Sequence, residues 1–284
     1  MNAQTRPAAL LIGYGEVGRA FGAQISARGW SVTYVDPFAP EETGDAVVLS
    51  ALPLELAQDT LVLGLMPSAA AEAVARDLAR VGGAFLYLDL SSSPKALMEQ
   101  CAAAFAEERA RFVDGAIMGS VDLSGANAPI LLSGPRAPEA LATLEELGFS
   151  VSALPDSAAG DAGGIKLLRT LMTKGIEALA IECYAAASAM GLEAPIRDNL
   201  SDISARPFPE LLDAMVRSHV QHAPRRKYEV AAAIAQAESY GLKLPLTQSV
   251  LQSYERTVRQ LENTAPKGPL STDEAVALLS EQLK

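Results

Sequence analysis

Residues 10–18 read Leu10-Leu11-Ile12-Gly13-Tyr14-Gly15-Glu16-Val17-Gly18, and an acid, Asp36, closes the next apolar run. An apolar stretch, Ala8–Ile12, precedes the glycines and a helix-compatible stretch, Glu16–Arg28, follows them. A strand, a tight turn and a helix are expected, with a different demand on each glycine. Gly13 lets the chain turn out of the strand, Gly15 lets backbone approach a pyrophosphate, and Gly18 lets the helix pack against the strand. The N–H groups and positive dipole end of that helix suit phosphate. Gly13, Tyr14, Gly15, Glu16, Val17, Gly18 and Asp36 are therefore the expected dinucleotide-binding residues. A carboxylate at position 36 accepts hydrogen bonds from an adenosine 2′-OH and repels a 2′-phosphate, so NAD is expected over NADP.

Beyond this stretch, composition sets bounds. The chain has 284 residues, 49% hydrophobic and 20% charged, which is the balance of a globular protein long enough for two domains. The net charge of −11 argues against a nucleic-acid partner. Residues 1–155 carry a balance of −9 and residues 156–284 only −2, so the second part is better suited to receive an anionic substrate. No apolar run approaches membrane-spanning length, and Met1–Pro7 is short and polar, so a cytoplasmic protein without membrane contact is expected. Cys101 and Cys183 lie in Ala-rich helical stretches and read as reduced core residues. His219 and His222 have no cysteine near them in the sequence, so no metal site is expected.

Apolar runs at 8–12, 31–35, 47–49, 60–65, 85–88, 112–118 and 129–133 alternate with Ala-rich helical segments such as 68–80 and 94–110. Such alternation predicts an α/β domain, a Rossmann-type doubly wound parallel sheet, over residues 1–155. From Pro155 onward no strand pattern remains. An all-α C-terminal domain, 156–284, is expected to begin with one long interdomain helix over 161–190, ended by Gly191 and Pro195. Further helices are expected near 209–222, 225–240, 245–262 and 271–283.

Several segments then occur in a telling order. They are Gly13–Gly18, Asp89-Leu90-Ser91-Ser92-Ser93-Pro94, Phe112-Val113-Asp114-Gly115-Ala116-Ile117-Met118-Gly119-Ser120, Lys166-Leu167-Leu168-Arg169-Thr170, Lys174-Gly175-Ile176-Glu177-Ala178-Leu179 and Arg225-Arg226-Lys227-Tyr228-Glu229. Over almost its whole length the chain resembles the β-hydroxyacid dehydrogenase superfamily, which includes 3-hydroxyisobutyrate dehydrogenase, tartronate semialdehyde reductase and 6-phosphogluconate dehydrogenase. Its second half is most similar to the branch with a DUF1932-type C-terminal domain.

The resemblance implies roles for particular residues. Lys166 matches the lysine that acts as general acid/base on the substrate hydroxyl. Its neighbours Gly163, Gly164, Ile165 and Leu167 do not form a charged solvent face, and partial burial would lower its pKa. Thr170 lies one turn further on, where many relatives carry asparagine; it is a candidate catalytic hydroxyl, with back-bonding to the helix as the alternative. Lys174, another turn on, is either an anion contact or a solvated charge. Met118, Gly119 and Ser120 stand where Ser-Gly-Gly usually cradles a carboxylate, so a larger or partly apolar substrate is expected. Ser91 and Ser92, with Ser93, fall beside the nicotinamide, although Ser93 before Pro94 also has the form of a helix N-cap. Met66 and Pro67 would form a backbone wall near the adenosine. His222, Arg225, Arg226 and Glu229 fall in a substrate-contacting region, with a solvent ion pair as the alternative.

The resemblance thus implies an NAD-linked oxidoreductase acting on a small-molecule carboxylate, interconverting a hydroxy acid and its aldehyde or ketone. It also implies a homodimer formed through the C-terminal domain. Two alternatives stay open: imine reduction, usually accompanied by loss of the lysine, and a catalytically silent dinucleotide-binding protein.

Overall fold

The alternating apolar runs of the first part become strands β1 (Ala8–Ile12), β2 (Ser31–Val35), β3 (Val47–Leu49), β4 (Thr60–Gly64), β5 (Phe85–Asp89), β6 (Ala110–Ile117), β7 (Ile130–Ser133) and β8 (Val151–Ala153). The computed structural model describes residues 7–105, 110–264, 266 and 268–284. The strands form one eight-stranded sheet in the order β3-β2-β1-β4-β5-β6-β7-β8. Helices α1 (Glu16–Ala27), α2 (Ala71–Leu78), α3 (Lys95–Ala103), α4 (Val121–Ser124) and α5 (Ala137–Glu146) connect them.

Alternate residues of the strands feed two cores, as a doubly wound sheet requires. Ala9, Leu11, Leu61, Leu63, Leu86 and Leu88 pack on one face with Phe21 and Ile25 of α1 and Leu144 of α5. Leu10, Ile12, Val62, Phe85 and Tyr87 pack on the other face with Ala75 and Leu78 of α2 and Met98 and Cys101 of α3. Each fully buried leucine or isoleucine contributes about 1.5–3 kcal/mol of transfer free energy. Burial also pushes the Cys101 thiol up to about 11, which suits an unreactive core residue.

The doubly wound sheet expected from the sequence is present and mostly parallel, with one reversed pairing. The first six strands are parallel, but β7 is antiparallel to β6 and parallel to β8. The link from β6 to β7 holds only the single turn α4 and a short 3₁₀ segment, Gly125–Asn127, with no full crossover helix. The eighth strand escapes the hydrophobic pattern because it is a three-residue edge strand with the polar Ser152 at its centre.

The chain divides into two compact units, Met1–Leu171 and Met172–Lys284. The expected division at 155/156 falls in the loop before α6 (Asp161–Met190), a helix that begins in the first unit and continues into the second. The second unit also holds α7 (Glu193–Asn199), α8 (Phe208–Ser239), α9 (Pro245–Thr264) and α10 (Thr272–Ser280). The bounds of α6 match those expected. The residue after it, Gly191, turns at φ +69°. Pro195 does not end α6 but sits in the first turn of α7, where it costs no helical hydrogen bond.

Two helices expected on either side of Pro224 are one continuous helix, α8. The proline removes one backbone bond, while Val220 and Ala223 before it and Ile234 and Ala237 after it stay buried. Within the same unit the Glu182 carboxylate accepts the backbone N–H groups of Leu246 and Thr247, capping the start of α9. Ser271 and Glu274 form a reciprocal capping box on α10. Among the described residues no helix is long and apolar enough to cross a membrane.

Candidate active site

The strand order reverses between β1 and β4, where an open α/β sheet forms its ligand crevice. The glycine turn lies at the end of β1. Gly13 has φ +115°, and a Cβ there would come within 2.9 Å of the Leu65 carbonyl oxygen. A Cβ at Gly18 would come within 2.1 Å of the Gly13 carbonyl oxygen, so the third glycine is fixed by helix-to-turn packing. Around Gly15, by contrast, a Cβ would meet no heavy atom within 4 Å. Gly15 is the N-cap of α1 and receives no side-chain cap bond. The arrangement combines open backbone with a helix N-terminus, which suits a pyrophosphate.

Asp36 follows β2 beside this turn. One carboxylate oxygen accepts the Tyr14 N–H at 2.9 Å and the other accepts the Phe38 N–H at 2.9 Å. The Tyr14 hydroxyl donates to the Thr43 carbonyl, and its ring meets Tyr34 edge-on at 4.9 Å. Val17 is half-buried against the core. Glu16 is exposed in the first turn of α1, and the neighbouring Asp122 carboxyl raises its pKa. The Met66 side chain is buried in the core, leaving backbone as its contribution to a ligand site, and Pro67 is exposed ahead of a 3₁₀ turn. The residues present fit a dinucleotide.

The loop after β5 carries the three serines and separates their roles. Ser92 adopts φ +58°, a conformation a non-glycine residue seldom takes. Its hydroxyl accepts a hydrogen bond from the Lys166 Nζ at 2.7 Å. Ser91 and Ser93 hydroxyls lie 2.7 Å apart, and Ser93 donates to Ser68 at 2.8 Å. Ser93 is fully buried and does not cap α3, whose N-cap is Pro94. Beneath the loop the buried Asp89 accepts the Tyr87 hydroxyl and the Ser91 N–H, which oppose the upward pKa shift caused by its burial.

Lys166 is half-buried, and its pKa is lowered first by desolvation and then by the charge of Arg169. Its position is set by Asp114, a residue to which the sequence reading assigned no role. Asp114 is fully buried on β6, next to Asp89 in register. A single carboxylate oxygen, Oδ2, accepts the Ser133 hydroxyl at 2.7 Å and the N–H groups of Gly160, Ala162 and Gly163 at 3.0–3.2 Å. The start of α6 is thereby bound to the sheet, and Lys166 stands one turn further along. At the surface the Lys95–Asp161 ion pair, 2.6 Å long, ties α3 to the same helix end.

Other expected residues are placed differently. The Thr170 hydroxyl donates to the Lys166 carbonyl at 2.9 Å, the back-bonded arrangement. Gly119 and Ser120 are exposed, and the Met118 carbonyl accepts from Arg169 at 2.9 Å. In the second unit Lys174 pairs with Glu177 at 2.6 Å and Arg225 with Glu229 at 3.2 Å, both exposed. Arg226 donates to the Ser218 hydroxyl at 3.0 Å. His222 is half-buried, whereas His219, not among the expected residues, bonds the Thr257 hydroxyl at 2.9 Å and stacks on Tyr254 at 4.4 Å. Among the described residues no cluster of His, Cys, Asp and Glu could hold a metal.

Sequence reasoning missed Asp114 and Arg169. Asp114 could have been found as an acid in the middle of an apolar strand, since such a group needs buried donors. Arg169 carried a weaker signal, its spacing of three from Lys166.

No protein-family model matches the chain. An uncharacterised 28.5 kDa protein in the 7S RNA 5′ region of Methanothermus fervidus is 29% identical over 133 residues, 47% of this chain and 51% of that protein. The chain thus spans about half the length of this curated relative. A solved conserved protein of unknown function, described as structurally similar to 3-hydroxyacid dehydrogenases, is 24% identical and covers 88% of this chain and 96% of its own, with a TM-score of 0.56. The V8 variant of the imine reductase from Myxococcus stipitatus, solved with NAD⁺, is 17% identical and covers 99% of this chain and 100% of its own, with a TM-score of 0.73. The chain has the fold that these proteins share, a Rossmann-type sheet followed by a helical region.

Proposed function

We propose that the protein is a nicotinamide-dinucleotide-dependent oxidoreductase that interconverts a hydroxy acid and its aldehyde or ketone, with NAD preferred. The observation that carries this reading is the hydrogen bond from Lys166 to Ser92, in the unit that also bears the glycine turn and Asp36. Gly13–Gly18 and the N-terminus of α1 would hold the pyrophosphate, and Asp36 the adenosine ribose. When bound, the dinucleotide supplies the hydride acceptor for oxidation and the donor for reduction.

In the oxidative direction Lys166, in its neutral form, accepts the proton of the substrate hydroxyl as the carbon loses hydride. In the reductive direction the ammonium form returns that proton. Half-burial and the nearby guanidinium both favour the neutral amine, which the oxidative direction needs. The Ser92 hydroxyl aligns the lysine and can hydrogen-bond the reacting oxygen.

Residues 1–155 are proposed as the dinucleotide domain and 156–284 as the substrate and dimerisation domain. A second copy of this chain is the proposed partner. Along α6 Leu168, Leu171 and Ile181 are between 64% and 75% exposed, an apolar face of a kind that continues folding against another subunit. Imine reduction is the second reading, favoured by the close fold match to imine reductases.

The deciding experiment is an absorbance assay of reduced nicotinamide over hydroxy acids and cyclic imines, with NAD and NADP. Hydroxy-acid turnover lost in Lys166→Ala is the expected result. Turnover of imines alone would replace the reading with the second one.

A further inference from the structure

The segment that would cradle a carboxylate in a hydroxy-acid site is engaged elsewhere at its first residue. The Met118 N–H donates to the Pro129 carbonyl at 2.7 Å, and the Met118 carbonyl accepts from Arg169. At this residue the backbone therefore has no donor left for an oxyanion. The donor group that reaches the segment is the guanidinium itself. Arg169 and Lys166 are three apart on α6, so their side chains are neighbours on the helix surface, with Cβ atoms about 5–6 Å apart.

We propose that Arg169 is the carboxylate-binding residue of this site, fitting it to 2- or 3-hydroxy acids whose hydroxyl lies at Lys166 and Ser92 and whose carboxylate lies on the guanidinium. The proposal rests on the hydroxy-acid reading above and names its substrate class more closely. A guanidinium presents five N–H donors in a planar fork, matched to two carboxylate oxygens. Its bond to the Met118 carbonyl holds the guanidinium at this segment. In a 2-hydroxy acid the hydroxyl-bearing carbon is bonded directly to the carboxyl carbon and in a 3-hydroxy acid one carbon lies between them, so the two groups are close enough to engage side chains that neighbour each other on one helix. The charge of Arg169 is felt at Lys166, whose pKa it lowers after burial has done so. An anion held between the two groups relieves that repulsion, which adds a preference for charged over neutral substrates.

The test uses Arg169→Met and Arg169→Lys in the full-length protein, with circular dichroism and NADH binding as controls of folding and cofactor binding. Steady-state KM and kcat are measured for each hydroxy acid that turns over and for its methyl ester. In parallel, binding of malonate to the protein with NADH is followed by calorimetry. In Arg169→Met the preference for acid over ester should fall about 10- to 100-fold, mainly through KM. Malonate binding should be lost, and the lysine-dependent limb of the pH profile should move upward. Arg169→Lys should keep the limb near its original place and recover part of the preference. An unchanged preference, malonate bound equally by wild type and Arg169→Met, or malonate not bound by wild type would each overturn the proposal. Turnover of hydroxy acids would leave the functional reading intact in those cases. Conversely, malonate binding that depends on Arg169 without hydroxy-acid turnover would overturn that functional reading and leave the anion site standing.

Discussion

Lys166 reaches Ser92 across 74 residues of sequence, and its ammonium donates to a serine hydroxyl held at φ +58°. Glycine accepts that backbone conformation at no steric cost, so Ser92→Gly removes the hydroxyl while preserving the loop. We expect Ser92→Gly to lower kcat roughly tenfold while Lys166→Ala lowers it a hundredfold or more, the scale of lost general acid/base catalysis. Stopped-flow and steady-state rates at saturating dinucleotide measure both. Equal rates for Lys166→Ala and wild type would remove the lysine from the chemistry.

The direction of the Lys166 shift makes a pH prediction. Oxidation requires the neutral amine, so its rate should rise with pH and level off below the ordinary lysine value of 10.5. Reduction, which uses the ammonium, should fall over the same window. Stability follows the same window: between the lowered folded value and 10.5 the unfolded chain holds more protons, so this residue's contribution grows more favourable as pH rises. Rate profiles in both directions, paired with denaturant midpoints at several pH values, check the sign.

Asp36 should govern cofactor choice. Replacing it with serine removes the negative charge that would face a 2′-phosphate, so the ratio of kcat/KM for NADP over NAD should rise by about tenfold or more. Because its oxygens also accept the Tyr14 and Phe38 N–H groups, the total activity should fall as well. A wild type that already prefers NADP would contradict the role given to this acid.

Asp114 should behave as the anchor of α6. Four donors converge on one of its oxygens, and truncation to alanine removes that shared acceptor, leaving the Ala162 N–H only its 2.9 Å bond to the Ser133 hydroxyl. We expect a loss of about 3–5 kcal/mol in Asp114→Ala, read from denaturant unfolding. Asp114→Asn, which keeps an acceptor oxygen, should lose less and should also perturb the lysine-dependent pH limb.

Oligomerisation offers a direct check on the apolar face of α6. Ile181 is 64% exposed. A glutamate there should shift the protein from dimer toward monomer in light scattering. A wild type that is monomeric at every concentration would remove the proposed partner.

Local rules carried the legible part of the sequence. The glycine turn, Asp36 and the strands flanking them could be placed because turn chemistry and apolar alternation act over a few residues. Helix α6 was read to its termini because Asp161 and Gly191 bound a long Ala-rich helical stretch. The reversed direction of β7 was not visible, since a strand's apolar pattern is the same whichever way it pairs. Pro224 misled because its local preference was overridden by burial on either side of it. At the site, Lys166 was legible through resemblance. Its coupling to Asp114 depends on contacts 46–49 residues apart and had no local signature.

The contact between Gly18 and the Gly13 carbonyl has a consequence for how variation should be read. A side chain at position 18 would lever α1 off the turn whether or not any ligand exists. Selection for folded abundance alone should therefore reject every replacement of Gly18. The same selection should tolerate changes at exposed Gly15, which only selection for turnover would purge. A saturation library scored once for abundance and once for activity would separate the residues that build this turn from those that use it.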